Sequence, residues 1–156
     1  MKLFLKIFLP VILLSIFSGS LKAQSDEEDF IKFWDEFKTA AIKDDTAKLI
    51  QLSDFPMIYF INEFVKWNEE DFLVNFERMF GYKDIFTKAE FGKEILFSED
   101  EDGRYLLSLI EDRSKPEAYY LAYEFISKED EYSFEITYNF DKVNGIYKFT
   151  KYIEAD

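Results

Sequence analysis

The sequence predicts an α+β domain in which N-terminal helices pack against a curved, mostly antiparallel β-sheet. Two features of its 156 residues support this prediction. In most of the first half, apolar residues recur at the spacing of an amphipathic helix, whereas from Gly92 onward they alternate with polar residues as in a strand. Turn signals such as Asn144-Gly145 divide this second half into segments of strand length. Helices followed by a run of antiparallel strands are typical of α+β domains.

Residues 1–23 are predicted to form a secretory signal peptide. A lysine-containing start precedes an apolar run at residues 7–17, and a polar stretch then leads to Ala23. This order is typical of signal peptides, and we expect cleavage between Ala23 and Gln24. A membrane anchor is the disfavoured alternative, because the run contains a proline and has about half of the roughly 20 residues that cross a bilayer. Residues 24–156 are then expected to form one domain with no membrane span.

The composition excludes several classes of function. The formal net charge is −13, and removal of a lysine-containing signal peptide makes the remainder more negative, so nucleic acid and acidic lipid surfaces are disfavoured as partners. The chain has no histidine and no cysteine. This removes histidine-dependent serine and cysteine nucleophiles, a histidine general base, and histidine-ligated zinc or haem. We predict no cofactor and no metal site.

The first helix is predicted from about Asp29 to Ile42, because its large apolar side chains share one face. That face consists of Phe30, Phe33, Trp34, Phe37 and Ala41. A short second helix is expected to end at Leu52, with Asp44 or Asp45 as its N-cap. Pro56 prevents this helix from continuing. Four large apolar side chains on one stripe require a broad apolar surface to pack against.

The segment Met57–Trp67 is rich in β-prone residues and is interpreted as a strand or an extended segment. Asn68 and Asp71 resemble a capping box, which would start a helix that ends at Gly81 as its C′ residue. The predicted buried stripe of that helix is Phe72, Leu73, Phe76, Met79 and Phe80. Residues 82–91 are interpreted as a further short helix.

Five strands are predicted after Gly92, joined by polar turns. They are Lys93–Phe97, Arg104–Glu111, Glu117–Ser127, Tyr132–Phe140 and Ile146–Ile153. The dipeptides Asp102-Gly103 and Asn144-Gly145 are two-residue hairpin signals. Alternation along the strands predicts one buried and one solvated face. The side chains expected to face the helices are Tyr119, Leu121, Tyr123, Phe125, Phe134, Ile136, Tyr138, Tyr147, Phe149 and Ile153.

Acidic residues are abundant, but none forms a recognisable catalytic or metal-binding pattern. Ser98–Gly103 resembles the start of a calcium-binding loop, yet its twelfth position is Leu109 where that loop needs glutamate, so an acidic hairpin tip is favoured. An isolated acid within an apolar run would be more suggestive, since burial raises the pKa of a carboxyl group. Glu63 and Glu124 are expected to point outward on strands, and Asp54 to form a turn with Pro56. We predict no catalytic residue.

Aromatic residues are the best candidates for a ligand pocket, because the chain contains 19 Phe, 10 Tyr and 2 Trp. The candidate ligand-binding residues are Trp34, Phe37, Tyr119, Tyr123 and Tyr138. A tyrosine hydroxyl that points into a core needs a hydrogen-bond partner or water, so several together would line a cavity under the first helix. Ordinary packing in a thick core is the favoured alternative.

The order of these segments resembles the nuclear transport factor two-like superfamily. The resemblance lies in residues 30–40, 52–57, 68–80 and 145–149, and the ordered segments cover nearly all of the chain after the signal peptide. It implies a cone, in which a curved sheet wraps the first helix around a cavity, and homodimers through the open sheet face. The chain looks most like small exported members from Gram-negative bacteria, which implies a periplasmic or secreted location.

The superfamily also includes ketosteroid-isomerase-like enzymes, which use aspartates and a tyrosine in an apolar cavity. No catalytic motif of these enzymes aligns with this sequence, and the absence of histidine argues against dehydratase-type members. Our leading hypothesis is therefore an exported, non-enzymatic protein that binds a small apolar ligand or a protein partner through an aromatic-lined cone. The alternatives are a small enzyme that uses a buried carboxylate with Tyr119, Tyr123 or Tyr138, and a purely structural or oligomerising domain. A cavity acid with a raised pKa would favour the enzyme.

Overall fold

A computed structural model describes residues 26–115, 117–128 and 133–155. The predicted signal peptide and its cleavage site between Ala23 and Gln24 lie outside these residues. The described helices are α1 (26–42), α2 (Thr46–Leu52), α3 (Glu69–Val74), α4 (Phe76–Phe80) and α5 (Lys83–Lys88). None of the helices in these ranges has the length and apolar content needed to cross a membrane.

The described strands form a single seven-stranded sheet in the order β2-β1-β7-β6-β5-β4-β3. They are β1 (Ser53–Phe60), β2 (Phe64–Trp67), β3 (Lys93–Glu99), β4 (Gly103–Glu111), β5 (Ala118–Ser127), β6 (Ser133–Val143) and β7 (Ile146–Ala155). All neighbouring pairs are antiparallel except β1 and β7, which run parallel. The predicted α+β class, with helices on a mostly antiparallel sheet, is confirmed, as are the five strands after Gly92.

Helix α1 packs its predicted apolar stripe against the sheet. Phe30, Phe37 and Ala41 are completely buried. The ring of Phe37 contacts rings from α4, α5, β6 and β7, which are Phe80, Phe86, Phe140 and Phe149. Burying one such side chain stabilises a fold by about 1.5–3 kcal/mol relative to leaving it exposed. The stripe therefore fixes the position of α1 over the centre of the sheet.

Two predicted helix starts are present as hydrogen-bonded caps. Of the two candidate N-caps for α2, the structure selects Asp45, whose Oδ1 accepts a hydrogen bond from the Lys48 amide at 3.0 Å. At α3, Asn68 Oδ1 accepts from the Asp71 amide, and Asp71 Oδ2 accepts in return from the Asn68 amide, both at 3.0 Å. This is the predicted capping box, and it satisfies amide groups that the first helical turn leaves unpaired.

The segment Met57–Trp67 is a hairpin of two strands and not the single strand or extended segment that was predicted. Strand β1 begins as early as Ser53, because it pairs in parallel with β7, and the chain then bends at residues 61–63 into β2. The prediction that Asp54 forms a turn with Pro56 is therefore wrong, since both lie within β1. Glu63 is exposed as predicted, but it lies in the bend and not on a strand.

The helix predicted between Asn68 and Gly81 is divided into α3 and α4 at Asn75. The Asn75 side chain donates a hydrogen bond from Nδ2 to the Asp71 carbonyl at 2.8 Å, and the same carbonyl accepts from the Asn75 amide at 3.1 Å. The predicted burial of Leu73 is wrong, because its side chain is 48% exposed at the end of α3. Gly81 keeps right-handed helical geometry (φ −63°), so it is not the left-handed C′ residue that was predicted.

The two predicted hairpin turns have different outcomes. Asn144 (φ 51°) and Gly145 (φ 82°) form the predicted β6–β7 turn, whose positive φ values suit this dipeptide. The β3–β4 turn lies one residue earlier than predicted, since Asp100 pairs with Gly103 and the turn residues are 101–102. Asp100 Oδ1 caps this turn by accepting from the Gly103 amide at 3.0 Å. The segment is a hairpin tip, as favoured over a calcium loop.

Strand β7 changes its alternation at a bulge. Asn139 pairs with Lys151 but the next residue, Phe140, pairs with Phe149, which leaves Thr150 as an extra residue on β7. Tyr147 and Phe149 face the core as predicted, whereas beyond the bulge Tyr152 takes the core position that was predicted for Ile153. The bulge therefore also turns Glu154, two residues further on, toward the helices.

Candidate functional site

The five predicted ligand-binding residues are all buried. They are Trp34, Phe37, Tyr119, Tyr123 and Tyr138. Among these five, the ring contacts of the described residues join Trp34 and Phe37 alone, with centroids 6.2 Å apart. Tyr119 instead stacks on Phe30 at 3.8 Å, and Tyr123 on Tyr105 at 5.5 Å. The structure thus distributes these residues through the core and does not gather them around one site.

The buried tyrosines are held in their neutral form. Burial raises the pKa of Tyr123 to about 12, and burial likewise raises the pKa of Tyr138 well above its usual value. The Tyr138 hydroxyl donates a hydrogen bond to the Met79 carbonyl, which links β6 to α4. Within the described ranges, the buried hydroxyl of Tyr59 has no hydrogen-bond partner. None of these phenols is suited to act as a base at neutral pH.

An open concavity lies where α4 and the segment after it meet the start of β6 and the end of β7. Its volume is about 540 Å³. We name it the Arg78 concavity, and its lining residues are Glu77, Arg78, Gly81, Tyr82, Phe134, Glu135, Ile136, Glu154 and Ala155. A volume of this size is within the range of small-molecule sites in proteins.

An ion pair with a supporting tyrosine forms one wall of the Arg78 concavity. Arg78 Nε donates to Glu154 Oε1 at 2.9 Å and to Oε2 at 3.1 Å, and Nη2 donates to Oε2 as well. The buried Tyr152 hydroxyl donates to Glu154 Oε1 at 2.7 Å. Below this pair, the Arg78 guanidinium carbon lies 5.7 Å from the centroid of the Tyr59 ring. Such a bidentate arrangement fixes the guanidinium plane.

The electrostatics of this pair keep both partners charged. Burial opposes ionisation of Glu154, but the hydrogen bonds from Arg78 and Tyr152 outweigh it, so the pKa of Glu154 lies below its usual value. The hydrogen bond to Glu154 raises the pKa of Arg78 in turn. Burial, followed by the neighbouring Tyr138 and Glu154, raises the pKa of Tyr152. Glu154 is thus a fixed carboxylate, which is the opposite of a general acid with a raised pKa.

The rest of the Arg78 concavity combines apolar and acidic side chains. Tyr82 is 62% exposed at the edge of the concavity. The half-buried Phe134 and the buried Ile136 contribute apolar surface. Glu77 adds a carboxylate. The Glu135 side chain alternates with Phe134 and Ile136, so its carboxylate lies on the other face of β6. Within the described residues, no group of three or more His, Cys, Asp or Glu side chains is placed to hold a metal ion.

Sequence reasoning missed the two residues that form this wall, Arg78 and Glu154, and the buried Tyr152 that supports them. Arg78 and Glu154 are 76 positions apart, and Tyr152 and Glu154 face the concavity side because of the bulge in β7. The sequence did offer one indication of Arg78, because it is the single basic residue within residues 68–81. Its partner could not be identified from the sequence, because that depends on which strand face lies opposite α4.

The depressed pKa of Glu154 predicts a pH-dependent contribution to stability. A carboxyl group with a lowered folded-state pKa stabilises the fold above its ordinary value of 4.5, and this contribution is lost as pH falls through the folded-state value. We expect Glu154→Gln to lower the free energy of unfolding by about 1 kcal/mol at pH 7, since solvent screens the half-exposed guanidinium. Urea unfolding at pH 7 and pH 3 should show the difference between the two proteins narrowing at pH 3. Glu94→Gln, at an exposed position, is the control. If Glu154→Gln lowers the free energy of unfolding equally at both pH values, the pKa of Glu154 is not lowered in the folded state.

No protein-family model and no curated protein matches this sequence. Solved structures do match it, at low identity. The chain is similar to an NTF2-like protein with a cystatin-like fold from Novosphingobium aromaticivorans, at 11% identity and TM-score 0.43, over 91% of this chain and 88% of that one. It is also similar to an NTF-2 like protein of unknown function from Shewanella oneidensis, at 9% identity and TM-score 0.41, over 83% of this chain and 98% of the other.

A third similar structure is a protein of unknown function with a cystatin-like fold from Nostoc punctiforme. It is 13% identical, with TM-score 0.39, over 83% of this chain and 89% of that chain. These three bacterial proteins are described as NTF2-like or as having a cystatin-like fold, which is the fold that the sequence resembles. The likeness concerns the fold alone, and no function is carried over from it.

Proposed function

We propose that this chain is an exported, non-enzymatic binding protein that takes a small, mainly apolar ligand in the Arg78 concavity. The observation that carries the proposal is the concavity itself, with its volume of about 540 Å³. Its walls combine apolar surface from Phe134 and Ile136 with a guanidinium that Glu154 holds in one plane. Apolar walls with a few fixed polar groups are typical of ligand sites.

The alternative of a small enzyme has less support. A buried carboxylate that works with a tyrosine in acid–base catalysis should have a raised pKa. The carboxylate nearest to that description is Glu154, and its pKa is lowered. Its two oxygens also accept four hydrogen bonds from Arg78 and Tyr152, so they have little capacity left for a substrate proton.

A second candidate is association of two copies through the sheet face that lies away from the helices. Leu96 is 57% exposed on that face and pairs with Leu106 on the adjacent strand. Apolar side chains on neighbouring strands are a feature of interaction surfaces. We keep the periplasm or the extracellular space as the proposed location, because the proposal includes cleavage between Ala23 and Gln24.

Native mass spectrometry of the protein purified from its own cell envelope tests the ligand, the oligomer and the cleavage together. We expect a chain that starts at Gln24, with a reproducible extra mass that is lost in Tyr82→Ala. Removing this exposed ring reduces ligand contact and should change stability by less than about 0.5 kcal/mol. Phe64→Ala is the matched control, because Phe64 is exposed and does not line the concavity. A bare chain, or an extra mass that survives Tyr82→Ala, would contradict the proposed site.

A further inference from the structure

The ionisable groups of the Arg78 concavity do not cancel. Arg78 and Glu154 neutralise each other in their bidentate pair, which leaves the carboxylate of Glu77. Glu77 forms no ion pair with any residue that the structure describes. Glu135 does not add to this charge, because its side chain lies on the opposite face of β6, where Oε1 accepts a hydrogen bond from the Thr137 hydroxyl at 2.6 Å. The formal charge of −13 for the whole chain makes the electrostatic potential at the concavity more negative. The concavity therefore presents a net negative potential to a ligand.

The aromatic residues of the concavity also favour a positively charged ligand. The Tyr82 ring stands exposed at the edge, and the Phe134 ring lines the wall. The face of an aromatic ring attracts a cation through its quadrupole, and ammonium groups are recognised in this way. Apolar carbon atoms of the ligand, next to its ammonium group, would contact Phe134, Ile136 and Ala155.

The guanidinium does not reverse this preference. Glu154 occupies its Nε and Nη2 edge, so most of its charge is compensated at hydrogen-bond distance. A ligand carboxylate at the remaining end would still approach Glu77. Arg78 is thus better suited to donate a hydrogen bond to a neutral oxygen of a ligand, while the Glu77 carboxylate selects the charged end of that ligand.

We propose that the ligand of the Arg78 concavity is an organic cation, with an ammonium group on an apolar body. This inference rests on the proposed function, because it names the chemical class that the same concavity would select.

The test uses three probes with one apolar body, namely octylamine, octan-1-ol and octanoate, titrated calorimetrically into the mature protein at pH 7. We expect octylamine to bind at least about tenfold more tightly than octanoate, with octanol between them. The gap should shrink in 1 M salt, which shortens the screening length to about 3 Å. Glu77→Gln should weaken octylamine binding about threefold or more and leave octanol binding unchanged, since it removes the uncompensated charge of the concavity.

Each outcome separates this inference from the proposed function. Octanoate or octanol binding as tightly as octylamine would overturn the cation preference and leave an apolar site standing. Equal weakening of octylamine by Glu77→Gln and by the control Glu94→Gln, which lies outside the concavity, would reveal diffuse attraction to an acidic chain and also overturn it. If none of the three probes binds, or if Tyr82→Ala leaves their binding unchanged, the proposed function fails as well.

Discussion

Phe37→Ala is expected to lower the free energy of unfolding by about 3–5 kcal/mol. Phe37 is completely buried, and its ring touches four aromatic rings from four different elements. The helix cannot collapse into the vacated space without separating those contacts, so a cavity remains. Since a domain of this size is stable by about 5–15 kcal/mol, the loss removes a large part of its stability. Urea unfolding followed by circular dichroism measures it.

Phe64→Ala is the matched control for this experiment. Phe64 is also an aromatic residue, but it is 73% exposed on the edge strand β2. Truncating it should change the free energy of unfolding by less than about 0.5 kcal/mol. The comparison also decides the role of Phe37, which the sequence suggested as a ligand contact. A loss of less than about 1 kcal/mol in Phe37→Ala would contradict a packing role.

Gly103→Val is expected to destabilise the protein by about 3 kcal/mol. A Cβ atom at Gly103 would lie 2.4 Å from the Ile126 carbonyl oxygen and 2.6 Å from the Phe125 ring. The carbonyl belongs to the backbone of β5, so it cannot move away without disturbing the β4–β5 ladder. Valine is otherwise favoured in strands, so the substitution specifically tests the close approach of Gly103 to β5.

Arg104→Val isolates the steric effect of the Gly103 substitution. Arg104 is the next residue of β4 and is exposed, so the same new side chain meets solvent there. We expect its free energy of unfolding to stay within about 0.5 kcal/mol of that of the parent. If Gly103→Val unfolds at the same urea concentration as Arg104→Val, the strands do not approach each other as described.

The proposed function depends on contacts between distant parts of the chain, whereas the stability predictions depend on contacts within the core. Phe37 and Gly103 report on packing, and their variants should lose stability whether or not a ligand is present. Tyr82 and Glu77 line the Arg78 concavity with exposed side chains. Their variants should lose binding while they keep their stability. A variant that changes both properties together would indicate that the concavity and the core are not independent.

The sequence by itself determined those parts of the fold that depend on local interactions. The stripe of α1 follows from residues three and four apart, which lie on one helical face. The capping box at Asn68 and the turn at Asn144-Gly145 each depend on a few consecutive residues and their preferred backbone angles. The alternation after Gly92 fixed the strands and the direction of Tyr119, Tyr123 and Tyr138 in the same way.

Tertiary structure alone decided the features that depend on register and on distant partners. Pairing with β7 extended β1 back to Ser53 and made Asp54 a strand residue. The bulge at Thr150 moved Tyr152 and Glu154 to the core side, because one extra residue reverses the alternation of a strand. Arg78 then meets Glu154 across 76 positions of sequence. A strand's period shows which residues share a face, but only pairing with its neighbours decides which partner that face meets.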